Sequence, residues 1–349
     1  MFEIVRDARP DALVVAGDVY DRAVPPPDAV ALLDDFLTRV AGAGVPVVAV
    51  AGNHDSPERM SFGARLLEAR RVYLRGSLAR AAEPVEIPGK GLVYAVPWVD
   101  PEVVRGQQGD EAVQGHAAAT ELVLRRVRED AAGRALPTVL VAHAFVQGAE
   151  PTPDSERPCS VGGTSAIAAS ALAGFGYVAL GHLHAPQEVS PGARYSGSLL
   201  KYSFSEAPHV KGVVLVEVRD DGVTAESIPL GARRDVVRLR GTLQVLLHQP
   251  ELSRHEHDLV EATLEDEGYV LDAKHRLQAR FPHVLSVVRG ALAPGGEGRF
   301  ASRVQAAQGD DLELFDAFFE TVAGATPGPG HREAFAEALA SLHRRERAA

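Results

Sequence analysis

The chain has 349 residues, of which 46% are hydrophobic and 24% are charged, an ordinary globular composition with room for more than one domain. Its net charge of −11 argues against a protein that binds nucleic acid over its whole surface, because phosphate binding depends on clustered Lys and Arg. Cys159 is the only cysteine and no apolar run reaches the roughly 18 residues of a membrane span, so we expect a cytoplasmic protein without disulfides or membrane segments.

The first two-thirds of the chain alternates apolar runs with helical patterns. Continuous apolar runs that end at Gly, Asp, Pro or His predict five buried strands: Ala12–Ala16, Val45–Val50, Leu92–Val96, Thr138–Ala142 and Tyr177–Leu180. Apolar residues at helical spacing predict helices at Asp28–Ala41, Pro57–Arg70 and Glu121–Ala132. This alternation is typical of a layered α/β core.

From Tyr195 the sequence becomes richer in strands. Lys211–Val218 and Val223–Pro229 predict a hairpin. A compact βαβαβ unit is predicted after it, with strands and helices alternating over Arg234–Leu239, Thr242–Gln249, Leu259–Leu264, Asp272–Arg280 and Val284–Val288.

A Gly/Pro linker, Ala291–Arg299, leads to a further predicted helix, Leu312–Ala323. Four side chains on one face of that helix form a stripe that is too apolar to face water alone: Phe315, Phe318, Phe319 and Val322.

Four of the predicted strands end in residues that bind metals, which is where open α/β sheets place their sites. The candidate ligands, in chain order, are Asp18, Asn53, His143, His182 and His184, and His54 is a candidate acid that can reach a substrate phosphate. Alone, each has an ordinary explanation, such as a helix-capping Asp, an Asx turn or a structural His. Together they predict a metal site, and imidazole combined with carboxylate and amide oxygens favours Mn, Fe or Zn over Ca or Mg. No predicted strand presents the remaining histidines, such as His116, and we expect them to lie in surface loops.

These motifs resemble those of the calcineurin-like metallophosphoesterases, whose signature runs D-x-H, G-D-x-x-D, G-N-H-D/E, H and G-H-x-H. The last four are present in this sequence and the first is not. A closer similarity is to the SbcD family of bacterial nuclease subunits, over VAGDVYD (15–21), VAGNHDSP (50–57), VAHAFV (141–146), GHLHAPQ (181–187) and YSGSLLKYSFSE (195–206). Residues 269–288 also resemble the SbcD capping domain, so the similarity covers nearly the whole chain.

The resemblance implies an α/β fold, a metallophosphoesterase β-sandwich flanked by helices, with its first strand missing from this sequence. It implies three parts: a nuclease domain over residues 1–233, a small α/β capping domain over 234–290, and a linker with a helical tail over 291–349.

The resemblance also implies the role of each site residue. Asp18 would bridge two manganese ions, Asn53, His143 and His182 would complete one ion's site, and His184 would serve the other ion. His54 would stabilise the transition state or protonate the leaving oxygen. The second ion takes its remaining ligands from D-x-H, so we expect it to bind poorly here and the chain as written to be almost inactive. An in-frame D-x-H within a few dozen codons upstream of Met1 would explain this as a start codon placed too late.

As a function, the resemblance implies manganese-dependent hydrolysis of DNA in an SbcCD-type complex that serves repair, recombination and replication. With the SbcC ATPase, the activities would be an ATP-dependent 3′–5′ double-strand exonuclease and a single-strand or hairpin endonuclease. Two copies of each subunit would form a heterotetramer, and the stripe Phe315–Val322 is a candidate dock for SbcC. Two alternatives stay open: another calcineurin-like phosphodiesterase or phosphatase, and a catalytically dead scaffold that lacks the first motif.

Overall fold

The computed structural model describes residues 1–108, 113–156, 166–219, 222–266, 270–289, 311–323 and 326–346. Cys159 and the linker Ala291–Arg299 lie outside the described residues. The chain divides into two compact units, Met1–Ala232 and Arg233–Ala349. None of the described helices is both long and apolar enough to cross a membrane.

The first unit contains two larger sheets and a hairpin. A parallel sheet of order β1-β2-β3 is formed by Leu13–Val15, Val47–Val50 and Val72–Arg75. A six-stranded sheet of order β4-β5-β6-β7-β9-β8 is formed by Val85–Ile87 (β4), Gly91–Val96 (β5), Thr138–His143 (β6), Tyr177–Gly181 (β7), Gln187–Ser190 (β8) and Ala193–Tyr195 (β9). The antiparallel hairpin pairs Gly212–Arg219 (β10) with Gly222–Pro229 (β11). The helices are Phe2–Ala8 (α1), Pro27–Gly42 (α2), Pro57–Ser61 (α3), Ala64–Leu67 (α4), Pro101–Gln108 (α5) and Gly115–Ala132 (α6).

The two larger sheets pack face to face with helices outside them. Val48 and Val50 of β2 lie in one apolar cluster with Val93 of β5 and Val141 of β6, which forms the layer between the sheets. Val47, on the opposite side of β2, packs with side chains of α1 and α2. Alternate residues of a strand point to opposite faces, so a strand buried on both sides must be apolar throughout. The predicted mixed α/β fold, with sheets flanked by helices, is confirmed.

The predicted single helix Pro57–Arg70 is wrong. The segment forms two short helices, α3 and α4, followed by a 3₁₀ turn, Glu68–Arg70. The break falls at Gly63, whose φ of 70° is left-handed and incompatible with a continuous α-helix. Phe62 and Leu66, which helical periodicity would bury, are 86% and 81% exposed. Spacing alone could not locate this break, because Gly is tolerated inside many helices.

Strand β1 is the first strand of the described chain and has an open edge. Among the described residues it pairs with β2 only, in parallel register from Leu13↔Val47 to Val15↔Ala49. Its three residues are half-buried, whereas all four residues of β2 are buried.

The second unit contains a parallel three-stranded sheet and a helical hairpin. The strands Val236–Gly241 (β12), Leu259–Leu264 (β13) and Val284–Arg289 (β14) pair in that order, and Leu243–His248 (α7) and Ala273–Gln278 (α8) lie between them in sequence. Leu246 and Leu277 from these helices are fully buried in the same apolar cluster as Val260. Asp311–Ala323 (α9) and Pro329–Glu346 (α10) follow.

The aromatic stripe of α9 is divided between two environments. The Phe315 ring stacks on Phe335 of α10 at 4.3 Å, and the Phe319 ring contacts His331 at 4.6 Å. Phe318 is instead 51% exposed, and the side chain of Val322 lies outside the described residues. Part of the stripe is therefore covered by the neighbouring helix, and Phe318 faces outward.

Candidate metal centre

The carboxyl ends of strands from both sheets meet at one place in the first unit. Asp18 follows β1, Asn53 follows β2, His143 is the last residue of β6, and His182 follows β7 directly. Ligand atoms of Asp18, His143 and His182 all lie within 4.8 Å of one another. The side chains come from residues up to about 160 positions apart in the chain, so the packing of the two sheets creates the site.

Asn53 lies at the centre of this cluster. Its Oδ1 atom is 2.9 Å from His143 Nε2 and 3.1 Å from His182 Nδ1. His143 Nε2 is also 3.4 Å from Asp18 Oδ2. Of the six candidate residues, the fold thus brings Asp18, Asn53, His143 and His182 into one group.

The chemistry of this group fits a divalent cation. His143 Nδ1 lies 2.8 Å from the carbonyl oxygen of Ala16, which can only accept, so Nδ1 carries the proton of the neutral ring. His143 Nε2 therefore presents a lone pair, and it faces the oxygens of Asn53 and Asp18. Lone pairs that converge without a donor are unfavourable unless a cation lies among them. A backbone carbonyl that fixes a histidine tautomer is a common support for a metal ligand.

Burial keeps the two imidazoles in the form that binds metal. It lowers the pKa of His143 and of His182 from 6.5 to about 4, so both are neutral at pH 7. Burial also raises the pKa of the Asp18 carboxyl, an effect opposed by a backbone N–H of His54 and by nearby imidazoles. Since a cation favours the ionised carboxylate, it would reverse the effect of burial on Asp18.

Two glycines allow this close approach. A Cβ on Gly17, whose φ is 89°, would lie 2.3 Å from His143 Nδ1. A Cβ on Gly52 would lie 2.1 Å from Asp18 Oδ1. Both distances are far below van der Waals contact, so these motifs require glycine for space as well as for turn geometry.

The ligand backbone is itself strained. Asp18 has φ 49° and His182 has φ 117°, values that residues with a Cβ rarely adopt. Strain of this kind persists only where surrounding contacts impose it, and it is concentrated at functional sites.

Asp55 joins the loops that follow β1 and β2. It is 7% exposed and accepts hydrogen bonds from the backbone N–H groups of Val19, Tyr20 and Gly52 at 3.0, 2.9 and 2.8 Å. Three such bonds hold both loops to one buried carboxylate, which gives Asp55 a positioning role.

His54 lies outside the ligand group but close to it. Its backbone N–H donates to Asp18 Oδ1 at 3.0 Å, and its Nδ1 lies 2.8 Å from the carbonyl oxygen of Asp21. That carbonyl can only accept, so the ring is held through Nδ1–H and its Nε2 atom is left for other chemistry.

His184 is held by a residue that the motif analysis did not single out. Its Nδ1 lies 2.9 Å from Oε1 of Glu206, and its ring is not part of the Asp18 group. A positive charge on His184 would lower the pKa of the Asp18 carboxyl. Burial alone would raise the pKa of Glu206, but hydrogen bonds from His184 and Lys211 outweigh it and bring the pKa to about 2.

Trp98, the only tryptophan, also reaches the site. Its ring stacks on His182 at 5.8 Å and 28°, and its edge contact with His143 is 6.0 Å. The Trp98 ring also contacts His116, at 4.8 Å. Trp98 follows β5, the neighbour of β6, so its position after a strand is a signal that the sequence contains. It was not predicted because only residue types that bind metals or donate protons were considered.

Comparison with known families agrees with this geometry. Residues 1–186, more than half of the chain, match the calcineurin-like phosphoesterase family. The chain belongs to the calcineurin-like phosphoesterases. Residues 232–323 match the SbcD C-terminal domain, described as the type 5 capsule protein repressor C-terminal domain. The calcineurin-like phosphoesterase is therefore of the SbcD type, as the sequence motifs predicted.

A solved crystal structure also matches the chain, with 14% identity over 65% of this chain and 91% of its own. Its TM-score of 0.38 is too low to support a comparison of sites. Membership of the calcineurin-like phosphoesterases makes this chain a phosphoester hydrolase that uses divalent metals, and Asp18, His143 and His182 form the cluster suited to hold one.

Proposed function

We propose that the chain is the nuclease subunit of an SbcCD-type complex and hydrolyses DNA phosphodiester bonds with manganese. The observation that carries the proposal is the combination of a metal-ligand cluster in the first unit with an SbcD C-terminal match over residues 232–323. A general phosphatase needs the cluster but not that second domain. The expected activities with SbcC are ATP-dependent 3′–5′ exonuclease on duplexes and endonuclease on single strands and hairpins, in repair, recombination and replication.

The ligand assignment is part of this proposal. Asp18, Asn53, His143 and His182 would hold one ion, and Asp18 with His184 would contribute to the second. The contacts of Asn53 with both imidazoles support the first group. When bound, two divalent ions supply charge neutralisation at the phosphoryl group and an activated water. Mixed imidazole, carboxylate and amide ligands suit manganese.

His54 is proposed as the catalytic residue. The hydrogen bond from Nδ1–H to the Asp21 carbonyl fixes the ring, so a protonated His54 would offer its second proton from Nε2. That atom would donate to the leaving sugar oxygen or stabilise its developing charge. Asp18 accepts the backbone N–H of His54, which ties the position of the proposed acid to that of a proposed ligand.

The remaining assignments concern the second unit and the partner. Residues 1–233 would be the nuclease domain, 234–290 the capping domain, and 291–349 the tail that docks on SbcC. The exposed Phe318 and Leu314 of α9 support an apolar contact there. Two copies of each subunit would act together in the cytoplasm, with SbcC supplying much of the DNA affinity that this acidic chain lacks.

The test is cleavage of a hairpin DNA and a blunt duplex by the protein expressed from its own gene and purified with SbcC. We expect manganese-dependent cleavage of both, with ATP required for the duplex. Asp18→Asn should abolish cleavage, because it removes the charge of the bridging ligand. Asp21→Asn is the matched control, because that exposed side chain contacts only Arg22 among the hydrogen bonds described for it.

A chromogenic phosphate monoester separates the alternatives. Hydrolysis of the monoester without DNA cleavage would identify a phosphatase of the same family and refute the nuclease assignment. Absence of both activities, with one or no manganese ion bound per chain, would identify a non-catalytic scaffold.

A further inference from the structure

A buried charged network lies beside His184, inside the first unit. Glu206 is 0% exposed and Lys211 is 7% exposed. One carboxylate oxygen of Glu206 contacts His184 Nδ1 at 2.9 Å, and the other contacts Lys211 Nζ at 2.5 Å. Burying two charges is costly, and such a pair is often no more stabilising than apolar residues of similar size. The network therefore calls for a function other than stability.

The lysine of this network is bound to the same histidine. Lys211 Nζ donates to the backbone carbonyl of His184 at 2.8 Å and to Ser198 Oγ at 2.7 Å. A second carboxylate side chain, Glu156, accepts the backbone N–H of His184 at 2.7 Å. His184 is thus held at its ring, its N–H and its carbonyl oxygen by three buried or half-buried charged residues.

The network determines which ring nitrogen of His184 carries the proton. A carboxylate paired with an ammonium group can only accept, so Nδ1 must donate to Glu206. The neutral ring then has its lone pair on Nε2. His143 has the same arrangement, with Nδ1 donating to Ala16 and Nε2 turned to the proposed ligands. Metal-binding histidines commonly donate their second nitrogen to a carboxylate or carbonyl, which fixes the ring and raises its basicity.

We propose that Glu206, oriented by Lys211, is a positioning residue that holds His184 as the Nδ1–H tautomer, so that Nε2 becomes the ligand atom for the second divalent ion. The inference rests on the proposed function, which assigns His184 to that ion. It gives a role to the stretch 195–206, which distinguishes the SbcD resemblance from general phosphoesterases. Glu206 acts through His184 and does not itself touch the metal or the substrate.

The tautomer of His184 can be measured without metal or activity. Long-range ¹H–¹⁵N spectra of the metal-free full chain distinguish protonated from unprotonated ring nitrogens, and His184→Gln assigns the signal. We expect wild type to show a protonated Nδ1 and an unprotonated Nε2. A wild-type ring protonated at Nε2 would overturn the proposal even if no variant folds.

Metal titration supplies the second measurement. With Mn²⁺ alone as the probe and the protein expressed from its own gene, Glu206→Leu should weaken binding of the second ion by about tenfold to a hundredfold and leave the first ion's affinity unchanged. Glu206→Gln, whose amide oxygen can still accept from Nδ1, should recover part of the loss. Glu188→Gln is the control. Glu188 lies on the nearby strand β8 and forms an ion pair with Arg194 at 2.7 Å, so the change removes one charge and should alter neither measurement.

The outcomes separate this inference from the proposed function. The positioning role would be overturned if Glu206→Leu weakened the binding of both ions equally. It would also be overturned if the His184 tautomer were unchanged in that variant, because either result would show a merely structural network. If the tautomer and both affinities behave as expected but wild type does not cleave DNA, the positioning role stands and the nuclease proposal fails.

Discussion

The Nε2 atom of His143 lies 2.9 Å from the amide oxygen of Asn53, although neither atom has a proton to give the other. The proton of the neutral His143 ring is committed to the Ala16 carbonyl at 2.8 Å. Asp18 Oδ2, a third electron-pair donor, lies 3.4 Å from the same nitrogen. A shared cation is the simplest partner for all three atoms, and the predictions for Trp98, Gly52 and His54 depend on it.

Metal binding should be visible in the fluorescence of Trp98. Its ring is within 6.0 Å of both His143 and His182, so a paramagnetic Mn²⁺ ion held by these ligands should quench its emission saturably. Asp18→Asn should abolish the quenching, and Zn²⁺ should compete with it. Unchanged fluorescence while manganese is shown to bind by electron paramagnetic resonance would place the ion elsewhere.

Gly52→Ala should weaken manganese binding at least about tenfold, because its Cβ would lie 2.1 Å from Asp18 Oδ1 and must displace the ligand or the loop. Gly42→Ala in α2 is the matched control, since nothing lies within 4 Å of its Cβ. Calorimetric titration measures both variants. Equal affinity of Gly52→Ala and wild type would mean that the Asp18 carboxylate is not a ligand in this position.

The free energy of unfolding should depend on pH through His143. Burial lowers the pKa of its imidazole from 6.5 to about 4, so between these values the unfolded chain takes up a proton that the folded chain does not. The part of the free energy of unfolding that comes from His143 is fully present above pH 6.5. It falls by about 3 kcal/mol in total as the pH falls towards 4.

Urea denaturation in the presence of a chelator, followed by Trp98 fluorescence, measures that change. His143→Gln should reduce the loss of stability between pH 7 and pH 4.5, and the exposed His275→Gln should leave it as in wild type. An undiminished loss in His143→Gln would show that other groups cause it.

His54→Ala should leave the manganese content near normal and lower DNA cleavage at least about a hundredfold, because it removes a proposed acid and no ligand. Asp21→Ala is its control: it retains the backbone carbonyl that orients His54, so cleavage should persist. Turnover of His54→Ala at the wild-type rate would remove His54 from the mechanism.

Phe318→Asp should weaken binding to SbcC without altering the helix content, because this ring is 51% exposed. Phe315→Ala should instead lower the stability of the helical hairpin, since it loses the stacked contact with Phe335 at 4.3 Å. Glu313→Ala, an exposed change on the same helix, is the control. Circular dichroism and co-purification measure both effects, and wild-type affinity of Phe318→Asp would exclude this dock.

Local sequence determined the strands and the ends at which chemistry is presented. The apolar runs at Ala12–Ala16 and Val45–Val50 contain β1 and β2, and the glycines that follow them carry Asp18 and Asn53 into turns. These features depend on residues adjacent in the chain, so period and turn chemistry were sufficient. Periodicity failed at Pro57–Arg70, where the left-handed Gly63 ends one short helix and begins another.

Only the tertiary structure decided which side chains meet. It placed Asn53 between two imidazoles, turned Trp98 onto His182, buried Glu206 against His184, and divided the aromatic stripe of α9 between Phe335 and the surface. Each relationship joins segments that are distant in sequence, and each depends on sheet and helix packing that apolar periodicity does not encode. The motifs were thus sufficient to identify a metal-binding phosphoesterase, whereas the packing of distant segments decided how its ligands are held.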